Sequence, residues 1–217
     1  MSTGRVSTRS MSVRPLDIDG AFLVSSRSFG DARGDFFEVY REDVLAEALG
    51  YRPKFLQANV STSCRNVVRG VHGASTPPGL AKYVTCLRGS LLDFVVDVRT
   101  GSPTFGQWDM MVLNAHGGTA VYVEEGLAHA FVSLEDDTCV QYLLSDLYRP
   151  AEVLTVHPLD PEIGLPLKLP GEPIVSDRDA AAPTLSEAGA LGLLPEYDTC
   201  LALRDARVRL SAASAAS

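Results

Sequence analysis

Four side chains in this sequence could move protons or steady a developing charge. They are His72 in Arg69-Gly70-Val71-His72, Lys82 in Ala81-Lys82-Tyr83-Val84, His129 after Gly126-Leu127-Ala128, and Tyr142 in Val140-Gln141-Tyr142-Leu143-Leu144. An imidazole exchanges protons near neutral pH, an ammonium only donates, and a phenol both donates and accepts. Each also has a plainer reading. The histidines can be satisfied strand or turn residues, Lys82 an edge-strand lysine facing water, and Tyr142 a core tyrosine with its hydroxyl bonded. On strict strand alternation Gly70 and His72 share one face and Arg69 and Val71 the other, unless a bulge intervenes. Two histidines raise the question of a metal, but a ligand strand of this kind offers an HxH pair with a nearby Glu, whereas His72 is followed by Gly73 and Ala74. No metal and no cofactor is expected. His116, in a Gly-rich turn, and His157, beside Pro158, read as solvent-facing, and Ser176-Asp177-Arg178-Asp179 as a solvated turn. GxGxxG after a strand, the P-loop, GxSxG and HExxH are all missing, which removes the common motif-bearing enzyme classes.

The elements that must position these residues read mainly as strands. Short segments rich in β-branched and aromatic residues recur at 55–60, 67–71, 83–87, 91–98, 108–113, 120–123, 130–134 and 139–144. Turn signals separate them at Arg88-Gly89, Thr100-Gly101-Ser102-Pro103, His116-Gly117-Gly118 and Glu135-Asp136-Asp137. Only Glu42–Leu49, stopped by Gly50, and 185–194, behind a Thr184/Glu187 capping box, look helical. The expected fold is all-β, a jelly-roll barrel with short peripheral helices. Residues 1–12 read as a disordered tail, 13–198 as one domain, and 199–217 as a C-terminal tail ending in a low-complexity run of small residues from Ser211.

Composition narrows what such a domain does. Its 217 residues are 46% hydrophobic and 21% charged, ordinary for a globular protein, with a net charge of -8. An acidic chain is a poor general polyanion binder, so no nucleic-acid partner is expected and any phosphate must be gripped by a few local residues. Four well-spaced cysteines without a CxxC pair, no apolar leader at the N-terminus and no spanning apolar run point to a cytoplasmic protein with no membrane partner.

Taken in order, seven segments resemble the nucleotide-sugar 3,5-epimerase family, the enzymes of dTDP-4-dehydrorhamnose biosynthesis and their relatives in antibiotic deoxysugar pathways. They are FGDARGDFFEVY at 29–40, FLQANVSTS at 55–63, VVRGVH at 67–72, AKYVTCLRGSLLDFVVDVRTGSPTFGQWD at 81–109, YVEEGLAHAF at 122–131, QYLLSDLYRP at 141–150 and SDRDAAAPTL at 176–185. The resemblance implies a metal-free cupin jelly roll that inverts carbons next to the 4-keto group of a dTDP-4-keto-6-deoxyhexose. It makes His72 the base, Asp179 the carboxylate orienting it, Lys82 the cation for the enolate oxygen and Tyr142 the acid on the opposite face. His129 becomes a supporting site residue. Arg33 and Arg69 match arginines on the diphosphate, Glu38, Gln57 and Asn59 match nucleotide or sugar contacts, and Tyr148 resembles an aromatic residue near the nucleotide. The 29–38 segment would reach into a neighbouring subunit, so a homodimer is implied.

Two positions depart from the family pattern. Gly73 stands where an aromatic residue usually follows the histidine, and Leu165-Pro166 where Trp-Pro is usual. Both losses are expected to reshape the sugar pocket, favouring an antibiotic-sugar epimerase acting at C3, at C5 or at both. The alternatives are a metal-dependent cupin using His72 and His129, and a non-epimerising nucleotide-sugar isomerase or binding protein.

Overall fold

A computed structural model describes residues 5–167 and 169–215. Its strands are β1 Val6–Ser7, β2 Met11–Pro15, β3 Ala21–Ser26, β4 Phe29–Asp31, β5 Gly34–Phe36, β6 Gln57–Ser63, β7 Val68–Ala74, β8 Lys82–Arg88, β9 Ser90–Val96, β10 Trp108–Asn114, β11 Thr119–Val123, β12 Ala128–Ser133, β13 Thr138–Leu144 and β14 Val153–Thr155. Four α-helices accompany them: α1 Glu42–Leu49, α2 Asp177–Ala180, α3 Leu185–Ala190 and α4 Tyr197–Ala215. One sheet runs β1-β2-β3-β11-β8-β13-β6 and a second runs β10-β9-β12-β7-β14, while β4 and β5 form a separate hairpin. The strands within each sheet pair antiparallel. The chain is thus the expected all-β jelly-roll barrel.

Side-chain alternation sorts the apolar residues into three layers. Val84, Val95, Val121, Leu127, Phe131 and Val140 pack together between the two sheets. Outside the longer sheet, Val13, Phe22, Tyr83 and Tyr122 meet Val44, Leu45, Ala48 and Leu49 of α1. Helix α1 forms where its apolar stripe predicts, with Glu42 and Asp43 in the first turn and Gly50 closing it at φ 77°. Outside the shorter sheet, Phe94, Ala128, Ala130 and Leu154 meet Ile163, Leu185, Ala188 and Leu194. The Thr184/Glu187 capping box that starts α3 is fully formed. No helix among the described residues is long and apolar enough to cross a membrane, and all four cysteines are free.

Both expected tails need correction where they are described. Residues 1–4 and 216–217 lie outside the described residues, but Val6–Ser7 forms β1, Met11 is buried in β2, and residues 199–215 lie within α4. The C-terminal segment has no apolar stripe to signal packing. Its Ala, Leu and Arg residues are strong helix formers, and besides the packing of Cys200 and Val208 it docks through charge: Arg204 pairs with Glu124 and Asp19, and Arg207 with Glu125. Arg99 stacks on Tyr197 at 4.9 Å. At 19 residues α4 is the longest of the four helices.

Candidate active site

A cavity of about 530 Å³ opens between the sheets, lined by His72, Lys82, His129 and Tyr142 together with Asn59 and Arg69. Four strands supply the four chemical groups. β7 and β12 set His72 and His129 side by side as register partners, and β8 and β13 bring Lys82 and Tyr142 from the opposite sheet.

Strict alternation would send Arg69 out of this cavity. Between His129 and Phe131 on β12 the partner register on β7 runs from His72 to Arg69, so β7 carries one extra residue. That bulge turns both Arg69 and His72 inward. Gly70 permits it: its φ is +126°, and a Cβ there would sit 2.5 Å from Ala130 Cβ. The Arg69 guanidinium is held by Nε to Ser63 Oγ at 3.0 Å and by Nη2 to the Thr62 carbonyl at 3.3 Å.

Each histidine is backed by a carboxylate. His72 Nε2 lies 2.7 Å from Asp179 Oδ1, and His129 Nε2 lies 2.7 Å from Asp93 Oδ2. Burial works to raise the Asp179 carboxyl, yet the bonds and charge from His72, with further bonds from Ser176 and the Gly70 N–H, hold it below the usual carboxylate range. It is therefore an anion that accepts the His72 Nε2–H, which leaves Nδ1 as the basic nitrogen. Ser176, capping α2, also accepts the Asp179 N–H and so fixes the carboxylate's backbone.

Lys82 reaches from one sheet to the other, its ammonium donating to the His72 carbonyl at 2.6 Å. Burial pushes its pKa down to about 8, and the Asp93 charge opposes that fall. Tyr142 donates or accepts at 3.3 Å with Ser61 and sets its ring edge-on to His129 with centroids 6.1 Å apart. Desolvation pushes its phenol up to about 12, so it stays protonated and able to donate. Gln57 donates to Asn59 at 2.8 Å and accepts the Tyr148 N–H at 2.8 Å, which ties Tyr148 to the rim.

Two expected site residues lie elsewhere. Arg33, at the tip of the β4–β5 hairpin, is exposed and paired with Asp31. Glu38 accepts from Ser10 Oγ at 2.5 Å at the hairpin's base. Neither lines the cavity of its own chain. Three residues not singled out by the sequence reading belong to the site. Asp93 is fully buried, and its second oxygen makes no hydrogen bond among the described residues; the signal was a carboxylate amid the apolar run of β9. Ser61 and Arg178 also face the cavity, and nothing in the spacing alone marks them.

The two departures do not enlarge the cavity by losing side chains into it. Gly73 borders it through its backbone, but a Cβ there would point at Leu154 Cδ2, Leu127 O and Ala128 Cβ at 3.3, 3.6 and 3.7 Å, toward the outer layer. Leu165 packs against that same outer cluster and borders a separate hollow. The expectation that both reshape the sugar pocket fails: alternation on β7 turns position 73 away from it, and Leu165, outside any strand, packs on the outer cluster instead.

A base with its carboxylate, a phenol facing it from the other sheet, and an ammonium between them suit removal and return of a proton beside a carbonyl. Among the described residues no group of three or more His, Cys, Asp or Glu is placed to hold a metal ion. The family model of dTDP-4-dehydrorhamnose 3,5-epimerase matches residues 15–187. The chain is 48% identical over 192 residues to a dTDP-4-dehydrorhamnose 3,5-epimerase of Streptomyces griseus, covering 88% of this chain and 96% of that protein. Its fold is similar to that of NovW, a 4-keto-6-deoxy sugar epimerase from the novobiocin biosynthetic gene cluster of Streptomyces spheroides. There the TM-score is 0.84 and the identity 46%, covering 91% of this chain and 98% of that one. It is also similar to ChmJ, a 3'-monoepimerase from Streptomyces bikiniensis in complex with dTDP-quinovose. For ChmJ the TM-score is 0.86 and the identity 44%, covering 89% and 98%.

Proposed function

This chain belongs to the dTDP-4-dehydrorhamnose 3,5-epimerase family, and we propose that its cavity inverts carbon centres flanking the C4 ketone of a dTDP-linked 6-deoxyhexose. It is an isomerase of deoxysugar biosynthesis, an epimerase acting at C3, at C5 or at both. The observation that carries the reading is the opposition of the His72–Asp179 pair on one sheet to Tyr142 on the other, with the Lys82 ammonium between the sheets.

His72 Nδ1 takes the proton from the carbon beside the ketone. The electron pair of the C–H bond passes into an enolate whose oxygen is stabilised by Lys82, and the imidazolium formed is paired with Asp179. Tyr142 returns a proton to the same carbon from the opposite face, and the carbonyl reforms. His129, fixed by Asp93, packs its ring against Tyr142 and supports the acid's position. Arg69 and Arg178 at the mouth meet the diphosphate, and Asn59 and Tyr148 form the wall along the nucleotide and sugar, with Gln57 behind them bonded to both. The test is incubation of the purified protein with dTDP-4-keto-6-deoxyglucose, followed by reduction, hydrolysis and identification of the sugar. An inverted hexose is expected; unchanged gluco configuration at both C3 and C5 contradicts the proposal.

Separate groups for proton removal and return make the steps separable. Tyr142→Phe should keep solvent exchange at the reacting carbon within about tenfold of wild type while lowering formation of the inverted product about 10²- to 10³-fold. NMR of the substrate in deuterated water reads both quantities. Equal loss of the two would contradict the two-face assignment.

The protein works as a cytoplasmic homodimer in this reading. Phe29 and Phe36 leave the β4–β5 hairpin with 47% and 69% exposure, and Arg33 projects beyond the cavity of its own chain. A second copy's cavity gives Arg33 and Glu38 a diphosphate and nucleotide to meet. Mixing Arg33→Ala with His72→Ala subunits should then recover activity, because random exchange leaves about a quarter of the sites with both residues intact. No recovery from an exchanged mixture would place Arg33 outside the shared site.

A further inference from the structure

We infer that Glu125 is a positioning residue: its buried carboxylate ties together the ends of the three strands that carry Lys82, His129 and Tyr142. The inference rests on the epimerase reading above.

Glu125 lies in the turn that joins β11 to β12, four residues before His129, and is only 3% exposed. Its Oε1 accepts from Ser145 Oγ at 3.0 Å. Ser145 follows the last residue of β13, three residues beyond Tyr142. The same Ser145 hydroxyl accepts the Ala81 N–H at 2.9 Å, and the Ser145 N–H donates to the Ala81 carbonyl at 3.1 Å. Ala81 immediately precedes Lys82. One carboxylate and one hydroxyl thus fix the chain beside Lys82, the end of β13 and the entry to β12. The register agrees, since Val123 and Leu144 both pair with Lys82.

Stability alone does not account for a charge in this place. A buried ion pair offsets its own desolvation poorly, and apolar residues of like volume serve as well. The charge is matched from outside the barrel by Arg207 of α4, which pairs with Glu125 Oε2. The two oxygens therefore do different things: Oε2 anchors α4, and Oε1 holds the strand ends that bear the site. Tyr51 and Tyr122, whose hydroxyls bond each other at 2.8 Å, and the neighbouring Glu124, paired with Arg204, complete the surroundings of this carboxylate.

That division supplies the test. Glu125→Gln keeps an oxygen for the Ser145 hydroxyl but loses the negative charge that pairs with Arg207, so melting temperature should fall while kcat stays within about threefold. Glu125→Ala removes both contacts. Ser145→Ala keeps the Arg207–Glu125 pair but frees the chain beside Lys82. Both alanine variants should lower kcat about 10- to 100-fold with KM little changed, the size expected when a reacting group is displaced by a fraction of an ångström to an ångström. They should also shift the alkaline limb of the pH profile, which follows the surroundings of Lys82, and a merely structural residue would not move that limb. If Ser145→Ala and a folded Glu125→Ala keep wild-type kcat and alkaline limb and lose only melting temperature, the inference is overturned. Wild-type protein run in the same assay separates this from failure of the epimerase reading, in which the wild type itself gives no inverted product.

Discussion

Replacing His72 by alanine should lower turnover at least about 10³-fold, because general base catalysis contributes roughly 10²- to 10⁴-fold and no other imidazole faces the reacting carbon in the same way. His129 is its register neighbour and is bonded to a carboxylate in the same way, but its side chain is only 5% exposed against 35% for His72, and its ring lies against Tyr142. The fold should survive the change, since His72 is partly exposed and its backbone carries the β-sheet bonds. KM should change little, because in the proposed site Arg69 and Arg178, not the imidazole, meet the diphosphate. Deuterium uptake and product formation should vanish together, unlike the split expected for Tyr142→Phe. Steady-state kinetics with both readouts decide it, and a variant that retains a tenth of wild-type turnover would show that another group is the base. Asp179→Asn should give a smaller loss, since it keeps a bond to His72 but removes the anion that pairs with the imidazolium.

The second large effect belongs to Lys82, and it carries opposite signs for activity and stability. Lys82→Met should lower turnover about 10²- to 10³-fold, the range found when a single preorganised partner of a developing oxyanion is removed. The same change should stabilise the protein. Burial takes the Lys82 pKa from 10.5 to about 8, which corresponds to a cost of about 3 kcal/mol for keeping the ammonium charged inside the fold near pH 7. The sign follows from proton counting. Between about pH 8 and 10.5 the unfolded chain binds the proton that the folded chain has released, so the Lys82 contribution to stability rises with pH across that window. Activity moves the other way, falling along an alkaline limb near pH 8 as the ammonium is lost. Kinetics and thermal melts of wild type and Lys82→Met from pH 7 to 10 test both signs. A variant that is inactive and less stable, or active with the alkaline limb unchanged, would contradict the role given to Lys82.

Much of the barrel was legible because its strands advertise themselves. The runs around Lys82, Leu91 and Val121 are rich in β-branched residues and bounded by Gly and Asp turns, and each forms a strand within a few residues of its expected ends. What escaped has physical causes. The Gly70 bulge is a register effect that depends on a close approach to Ala130, so alternation placed Arg69 on the wrong face. Helix α4 docks through Arg204 and Arg207 onto two buried glutamates in a distant turn, and no apolar period records such pairing. Asp93 and Ser61 act by facing His129 and Tyr142 across strands, a juxtaposition created only by the pairing of β9 with β12 and of β6 with β13. The family resemblance marked His72, Lys82, His129 and Tyr142, and the fold brings all four to one cavity. Arg33 and Glu38 sit outside it, where a single chain gives them no substrate to touch.

The central claim is that this cavity ionises a carbon next to the C4 ketone, and solvent exchange reads that step directly. Wild-type protein with dTDP-4-keto-6-deoxyglucose in deuterated water should replace hydrogen by deuterium at C3, at C5 or at both, as followed by proton NMR, while His72→Ala protein does so at neither. Retention of both hydrogens by substrate incubated with folded wild-type protein would contradict the account.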